Sequence, residues 1–302
     1  MILLLMCEKI LVIGAIKKMK ELPKVNRDLL LSHLQSLVGE RHPTRSPRAL
    51  EKALEYVQAL FSQYGLRVED DWFSYMGGNY RNIIGHIDGS EKGGVLVVGA
   101  HVDTVALTPG ADDNASGVAA LLEAARITAQ YKPRLAIKFV AFNLEEWNMI
   151  GSAHYAKKLR KENVALRGMF SLEMVGFTNL KPGGQKYPLG LKAFYPDTGN
   201  FIGLVGNRAS SSLLKQVAQI MKQLPTLPVE TLTVPWNGWW IPATRLSDHS
   251  SFWDQGYTAL LVTDTAFLRN PHYHQPTDTI DTLDLNFLEK VCQGVVQVLL
   301  QL

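Results

Sequence analysis

The chain has 302 residues, 46% of them hydrophobic, with 31 basic and 28 acidic side chains for a formal charge of +3. That size and apolar content suffice for one large α/β core, and the basic residues form no stripe, so nothing supports nucleic-acid binding. Two cysteines at opposite ends, Cys7 and Cys292, make no disulfide framework and demand no oxidising compartment.

Residues 1–24 read as an N-terminal extension of uncertain order ahead of a catalytic domain at 25–302. The stretch MILLLMCEKILVIGAIKK is apolar but broken by Glu8 and Lys9. It falls short of the roughly 20 apolar residues of a membrane span, so no stable span is expected. Helices are then predicted at about 25–38, 47–64, 115–130, 149–162, 209–223 and 284–301, with Pro47 suited to a first turn and Gly65 to a stop. Strands are predicted at about 81–88, 95–102, 135–143, 168–174, 201–206 and 258–264. Such alternation predicts a mixed, largely parallel sheet covered on both faces, with ligands at the carboxyl ends of its central strands. Residues 178–200 and 225–246 break the pattern and predict long loops. The second carries Trp236, Trp239 and Trp240, which could line an apolar pocket, pack internally or form a subunit contact. No repeat or linker suggests a second domain, and oligomeric state is not legible.

Five short acidic or histidine motifs stand out: HVD at 101–103, GADDNASG at 110–117, NLEEW at 143–147, SLEMVG at 171–176 and YHQPTDT at 273–279. The apolar runs around them read as buried strands, so one sheet edge can gather them. Strand periodicity puts His101 and Asp103 on one face. His101 can offer one ring nitrogen to a metal while the other donates to a carboxylate, and Asp103 is the candidate to orient it. An Asp-Asp-Asn run ahead of GVAALLEAAR is by itself a good helix N-cap. A carboxylate there can also bridge two cations about 3.5 to 4 Å apart. Glu145 and Glu146 cannot both enter one site from regular strand, so the chain must turn at that pair; alone, such a pair is usually a solvated helix start. In HYHQPTDT, His272 and His274 compete for one ligand position.

Together with SDH at 247–249 and LVTDT at 261–265, these motifs, in this order, resemble the dizinc aminopeptidase family of bacterial leucyl aminopeptidases and aminopeptidase Y. Glutaminyl cyclases and glutamate carboxypeptidase are relatives of that family. The resemblance covers about residue 25 to the C-terminus. It implies a single-domain, three-layer αβα zinc-exopeptidase fold, two zinc ions per chain, and hydrolysis of the first peptide bond of peptides with a free N-terminus. Carried over residue by residue, it makes His101, Asp113, Glu146, Glu173 and His274 the metal ligands, with Asp113 bridging. Glu145 becomes the general base and Asp103 the catalytic support behind His101. Alignment on Asp278 and Thr279 selects His274, leaving His272 as a loop histidine. A cis peptide between Asp113 and Asn114 is implied as well.

Two departures from the family pattern stand out. Glu173 replaces a commoner aspartate, which is expected to adjust the geometry rather than lose the site. Some relatives place an oxyanion-stabilising tyrosine where this chain has Thr244, leaving Tyr187, Arg245 or a zinc ion for that task. A glutaminyl-cyclase-like acyl transferase using one zinc is the competing enzyme, disfavoured by His101 and GADDNASG. A non-catalytic binding protein of the same fold is disfavoured by the complete ligand set. His33, His42, His86 and His154 lie outside the motifs and are expected to make ordinary hydrogen bonds, and His249 to support the site.

Overall fold

Asn26 starts the first helix, α1 (Arg27–Leu37), by accepting the N–H groups of Asp28 and Leu29 with its side chain. Residues 23–302 are described by the computed structural model. Most of the extension expected at 1–24, with Cys7, lies outside those residues. Helix α2 (Pro47–Gln63) begins on its proline as expected and stops before Gly65, whose φ of +81° a side chain would resist. A hairpin of β1 (Arg67–Tyr75) and β2 (Gly78–Ile87) leads to β3 (Val95–His101), helix α3 (Gly117–Ala129) and β4 (Ala136–Phe142). Then come α4 (Ile150–Lys161), β5 (Leu166–Glu173), β6 (Ile202–Asn207), α5 (Ser211–Met221), β7 (Val229–Val234), the short α6 (His249–Asp254), β8 (Ala259–Thr263) and α7 (Leu285–Gln301). Asp284 caps α7 by accepting the N–H groups of Asn286 and Phe287.

The eight strands of the described residues form one sheet in the order β1-β2-β4-β3-β5-β8-β6-β7. The central strands β4, β3, β5 and β8 run parallel, β2 and β6 flank them antiparallel, and β7 pairs parallel with β6. Strand alternation divides the core in two. Leu96, Val98 and Ala100 of β3, with Phe170 and Leu172 of β5, pack beneath α1, α2, α3, α5 and α7. Val97 of β3, Met169 of β5, and Val140 and Phe142 of β4 face α4 and α6. The result is the three-layer αβα architecture with a mixed sheet. Among the described residues, no helix is long and apolar enough to cross a membrane.

Three elements were not expected from the sequence. Strand β1 reads RVEDDWFSY, and as an edge strand with one neighbour it carries charge that an interior strand would not. Strand β7 lies inside the segment 225–246 expected to be loop; it forms the opposite edge and alternates too weakly to stand out. Helix α6 has only six residues, too few for a periodic signal. Segment 178–200 has no helix or strand, only an isolated bridge between Asn179 and Gly199.

Candidate metal centre

Sheet parity begins the site. His101 ends β3 and Glu173 ends the neighbouring parallel strand β5, and both project to the α4 and α6 side, as Val97 and Met169 do. Their side chains meet with His101 Nε2 3.3 Å from Glu173 Oε1. Asp113 reaches the same point from the distorted turn Ala111–Ser116 that precedes α3, where the Asp113–Asn114 peptide is cis, as the resemblance implied. Gly110 opens that turn at φ +64°, and a Cβ there would meet Asp113 O at 2.5 Å. Glu145 and Glu146 follow β4 on a tight turn in which Leu144 has φ +57°, the change of direction that the adjacent glutamates demanded. His274 comes from the loop between β8 and α7.

The seven side chains named from the sequence converge. Asp113 stands with Oδ1 3.1 Å from His101 Nε2 and Oδ2 3.1 Å from His274 Nε2. His274 Nε2 is 3.2 Å from Glu146 Oε2, and Glu145 Oε2 is 3.9 Å from His101 Nε2. Two trios therefore share Asp113: His101 with Glu173, and His274 with Glu146. His101, Asp113 and Glu146 can also each bring one ligand atom within 4.8 Å of the others, so the trios form one cluster. Donors at the corners of a tetrahedron with metal bonds of about 2.0 to 2.1 Å lie about 3.3 Å apart, close to these separations. Asp113 Oδ1, Glu146 Oε1 and His274 Nε2 are buried without a hydrogen-bond partner among the described residues. Such short approaches without hydrogen-bond alignment suit atoms aimed at a common cation, and hard oxygen with imidazole nitrogen suits zinc.

Around the cluster, hydrogen bonds hold several of these residues in place. Asp103 accepts the N–H of Glu145 with one carboxylate oxygen and that of Glu146 with the other, both at 3.1 Å. Its contact with His101 differs from the expectation: Nδ1 lies 3.1 Å from the Asp103 carbonyl but 3.7 Å from its carboxylate. The carboxylate is committed to the glutamate turn, and the carbonyl is left to orient the imidazole. Asp278 accepts the N–H groups of Asp112 and Asp113, at 2.9 and 3.1 Å. Asp112 accepts from Gly176 N and Asn270 Nδ2. Asn114 donates to Leu172 O and accepts from Gly117 N and Met174 N, tying the cis turn to β5. Two further residues were not singled out in the sequence. Ser247 donates to Glu173 Oε2 at 2.8 Å. Arg41, wholly buried, donates to the carbonyls of Val102, Leu37, Gly39, Pro109 and Gly110. Only the SDH motif hinted at Ser247, and nothing in the pattern marked Arg41.

Expectations for the other histidines can be followed individually. His272 bonds Thr277, and His249 is buried with Nε2 2.9 Å from Thr244 O. His33 meets Tyr56, His42 takes the N–H groups of Thr44 and Arg45, and His86 and His154 face Glu69 and Asp71.

Crowded carboxylates dominate the electrostatics. Burial, then repulsion among the acids, pushes Glu145 well above the usual carboxylate range even though His101 opposes it. Burial and then Asp113 push Glu146 up to about 7, and burial raises Asp248 to about 7. His274 is raised to about 10 because Asp113 and Glu146 outweigh its burial. Burial opposes ionisation of Asp113, yet the two histidines hold it well below the usual range. Cations would relieve this excess of negative charge.

A cavity of about 340 Å³ adjoins the cluster, touching Asp113, Glu145, Glu146 and Glu173. Tyr187, Leu191 and Tyr195 from segment 178–200, with Phe201 and Phe267, supply its aromatic and aliphatic wall. The pocket considered for the tryptophans is not theirs. Trp236, Trp239 and Trp240 are 68%, 66% and 75% exposed, and the loop turns them outward. Neither protein candidate for oxyanion stabilisation is free. The guanidinium of Arg245 lies on Trp239 and donates to Asp254 and Asn237 O, while the Tyr187 hydroxyl donates to Pro196 O.

Comparison with known proteins agrees with this geometry. A model described as peptidase family M28 matches residues 82–299. The chain is 34% identical over 298 residues to the uncharacterized protein YfbL of Escherichia coli (strain K12), covering 92% of this chain and 90% of that one. It is 28% identical over 221 residues to a probable leucine aminopeptidase of Arthroderma otae, covering 68% of this chain but 53% of that one, so it spans about half the length of that relative. Among solved structures, the LapA aminopeptidase of Legionella pneumophila gives a TM-score of 0.72 at 20% identity, covering 91% of this chain and 71% of that one. A glutaminyl cyclase of Bacteroides thetaiotaomicron gives 0.69 at 21% identity, covering 93% and 100%. At such identities, these two likenesses speak for the fold alone.

Proposed function

The chain belongs to peptidase family M28, a family of metal-dependent peptidases, and from that premise we propose that it is an aminopeptidase that holds two zinc ions across Asp113. One observation carries the reading: the two oxygens of Asp113 each stand 3.1 Å from a different histidine, and each histidine has its own second acid, Glu173 or Glu146. That duplication would have no purpose for a single ion. It also disfavours the single-zinc, glutaminyl-cyclase-like acyl transferase, and the complete set disfavours a binding protein without activity.

Zinc held by these residues would supply Lewis-acid polarisation of the scissile carbonyl and an acidified attacking water. Glu145 borders the cavity beside the cluster, and its main chain is fixed by Asp103. It takes the proton from the water and returns it to the leaving amine, so one group serves as base and then acid. With Arg245 and Tyr187 engaged elsewhere, oxyanion stabilisation falls to the metal side of the cavity. Tyr273 stacks on the His274 ring at 3.8 Å and restricts its rotation.

Metal analysis combined with a panel of aminoacyl chromogenic substrates tests the reading. About two zinc ions per chain and release of free amino acids are expected. One zinc ion, with cyclisation of glutaminyl peptides and no hydrolysis, would establish the cyclase instead.

A further inference from the structure

Two rows of residues cross the sheet beneath the cavity. Glu173 pairs with Thr263, Thr263 with Gly203, and Gly203 with Glu230. One step further toward the amino end of β5, Ser171 pairs with Leu261, Leu261 with Val205, and Val205 with Leu232. Residues directly opposite one another share a face, so Glu230 stands on the same side as Glu173. Three strand spacings separate them, roughly 14 Å. Between the glutamates the first row offers a threonine and a residue without a side chain, and the second row is aliphatic beyond Ser171. The cavity lies over this floor, and Glu230, Thr263, Gly203, Leu261, Val205 and Leu232 all line it.

Segment 178–200 supplies the roof. Tyr187 and Tyr195 stack with centroids 5.7 Å apart, and the Tyr195 hydroxyl donates to Thr231 O beside Glu230. Both phenols feel the carboxylate: burial foremost, with Glu230 contributing, raises each of them. Among the described residues no lysine or arginine lines the cavity, and Glu230 is the only charged one there outside the proposed metal cluster. The nearby Arg269 donates to Gln185 and the Phe177 carbonyl and lies on the ring of Phe201; its Nη2 has no hydrogen-bond partner among the described residues, and it makes no ion pair with Glu230. Among the described residues no cation lies within ion-pair distance of Glu230. The space is thus an apolar trough with the proposed metal centre at one end and a half-buried, unpaired carboxylate at the other.

We propose that Glu230 is a specificity-determining residue that receives the terminal cation of a lysyl or arginyl first residue, whose methylenes lie along Leu261, Val205 and Leu232. The dimensions suit this. With the substrate α-carbon beside the cluster, a lysine reaches about 6 Å and an arginine about 7 Å from α-carbon to terminal nitrogen. A glutamate side chain extends several ångström to meet it. An apolar stem with a charged tip is the side-chain type that such a trough accommodates, and a charge-assisted pair favours it over a substrate that lacks the charge.

This inference rests on the aminopeptidase reading, and the test keeps the two separate. The zinc-loaded protein is assayed on lysyl, arginyl and norleucyl anilides, the last lacking only lysine's ammonium, and L-lysinamide and L-norleucinamide are titrated by calorimetry. The unmodified chain is expected to favour lysyl over norleucyl in kcat/KM by on the order of 10-fold. Glu230→Gln should abolish that ratio, chiefly through a lower kcat/KM for the lysyl substrate, and Glu230→Asp should restore part of it. Hydrolysis of all three substrates with a norleucyl preference, or with a ratio unmoved by Glu230→Gln, would overturn the assignment and leave the peptidase standing. If none is hydrolysed but lysinamide binds in a Glu230-dependent manner, the peptidase reading fails and the cation site stands. Absence of both hydrolysis and selective binding overturns both.

Discussion

Ser247 donates its hydroxyl to Oε2 of Glu173 at 2.8 Å, and this leaves Oε1 of the same carboxylate 3.3 Å from Nε2 of His101. A glutamate at this position has one more rotatable bond than an aspartate, and the serine removes that freedom. Ser171 in turn bonds the Ser247 hydroxyl at 2.9 Å. Residues that orient metal ligands are worth about 10- to 100-fold in affinity. Ser247→Ala should therefore weaken zinc binding by that order while costing about 1 kcal/mol of global stability. Competition with a chromogenic chelator reads the first and urea unfolding the second; unchanged zinc affinity would show that Glu173 needs no such support.

Arg41 carries a stability prediction. Its guanidinium donates to five buried or half-buried carbonyls on the segments 37–39, 102 and 109–110, which join α1 to the HVD and GADDN motifs. Burial lowers its pKa to about 10, against the pull of Asp103 and other site acids, so it stays charged at neutral pH. Each carbonyl left without a donor costs about 1 to 3 kcal/mol. Arg41→Met is expected to lose roughly 3 to 5 kcal/mol in chemical denaturation. A loss under about 1 kcal/mol would mean that water replaces the donors easily.

Arg41 also marks the limit of what the sequence discloses. That His101, Asp113, Glu145, Glu146, Glu173 and His274 come together was legible through the family resemblance, because its motifs can be matched without knowing how each side chain is held. Arg41 and Ser247 act through main-chain carbonyls and through one carboxylate oxygen, and those contacts exist only once α1, the 102–110 loop and β5 are together. The central strands were legible because they are apolar throughout, whereas β1 and β7, with one neighbour each, need not be. The cavity wall was not legible for a similar reason. Three tryptophans suggest a pocket by composition, but Glu230 and Leu232 become neighbours of Glu173 only through the β5-β8-β6-β7 order, which strand patterns alone do not specify.

Zinc affinity should rise with pH. In the metal-free centre His274 is raised to about 10, its burial outweighed by Asp113 and Glu146, and burial followed by Asp113 raises Glu146 to about 7. Both must lose their protons to bind metal. The free centre therefore carries more protons than the loaded one, and zinc binding releases them. Below about pH 7 both groups oppose binding; between about 7 and 10 only His274 of this pair still does, so the dependence is steeper on the acid side. Chelator competition between about pH 6 and 9, with proton release measured in buffers of different ionisation enthalpy, checks this. An affinity independent of pH would contradict the proposed ligation by His274 and Glu146.

The adjacent glutamates should fail in different ways. Glu145 and Glu146 hang from one turn whose two N–H groups are held by the same carboxylate, that of Asp103. Their side chains nevertheless diverge: Glu146 reaches His274 at 3.2 Å, and Glu145 stands 3.9 Å from His101 at the cavity edge. Glu145→Gln keeps size and hydrogen bonding but cannot take a proton from water. It should retain about two zinc ions and bind peptide while kcat falls by about 10² to 10⁴, the usual contribution of general acid–base catalysis. Glu146→Gln removes a charged ligand from the His274 trio, so it should lose part of its zinc and regain activity at high metal concentration. Metal content, peptide binding and kcat measured on both variants separate the roles. An active Glu145→Gln beside a fully metallated, inactive Glu146→Gln would exchange the two assignments and shift the motif by one residue.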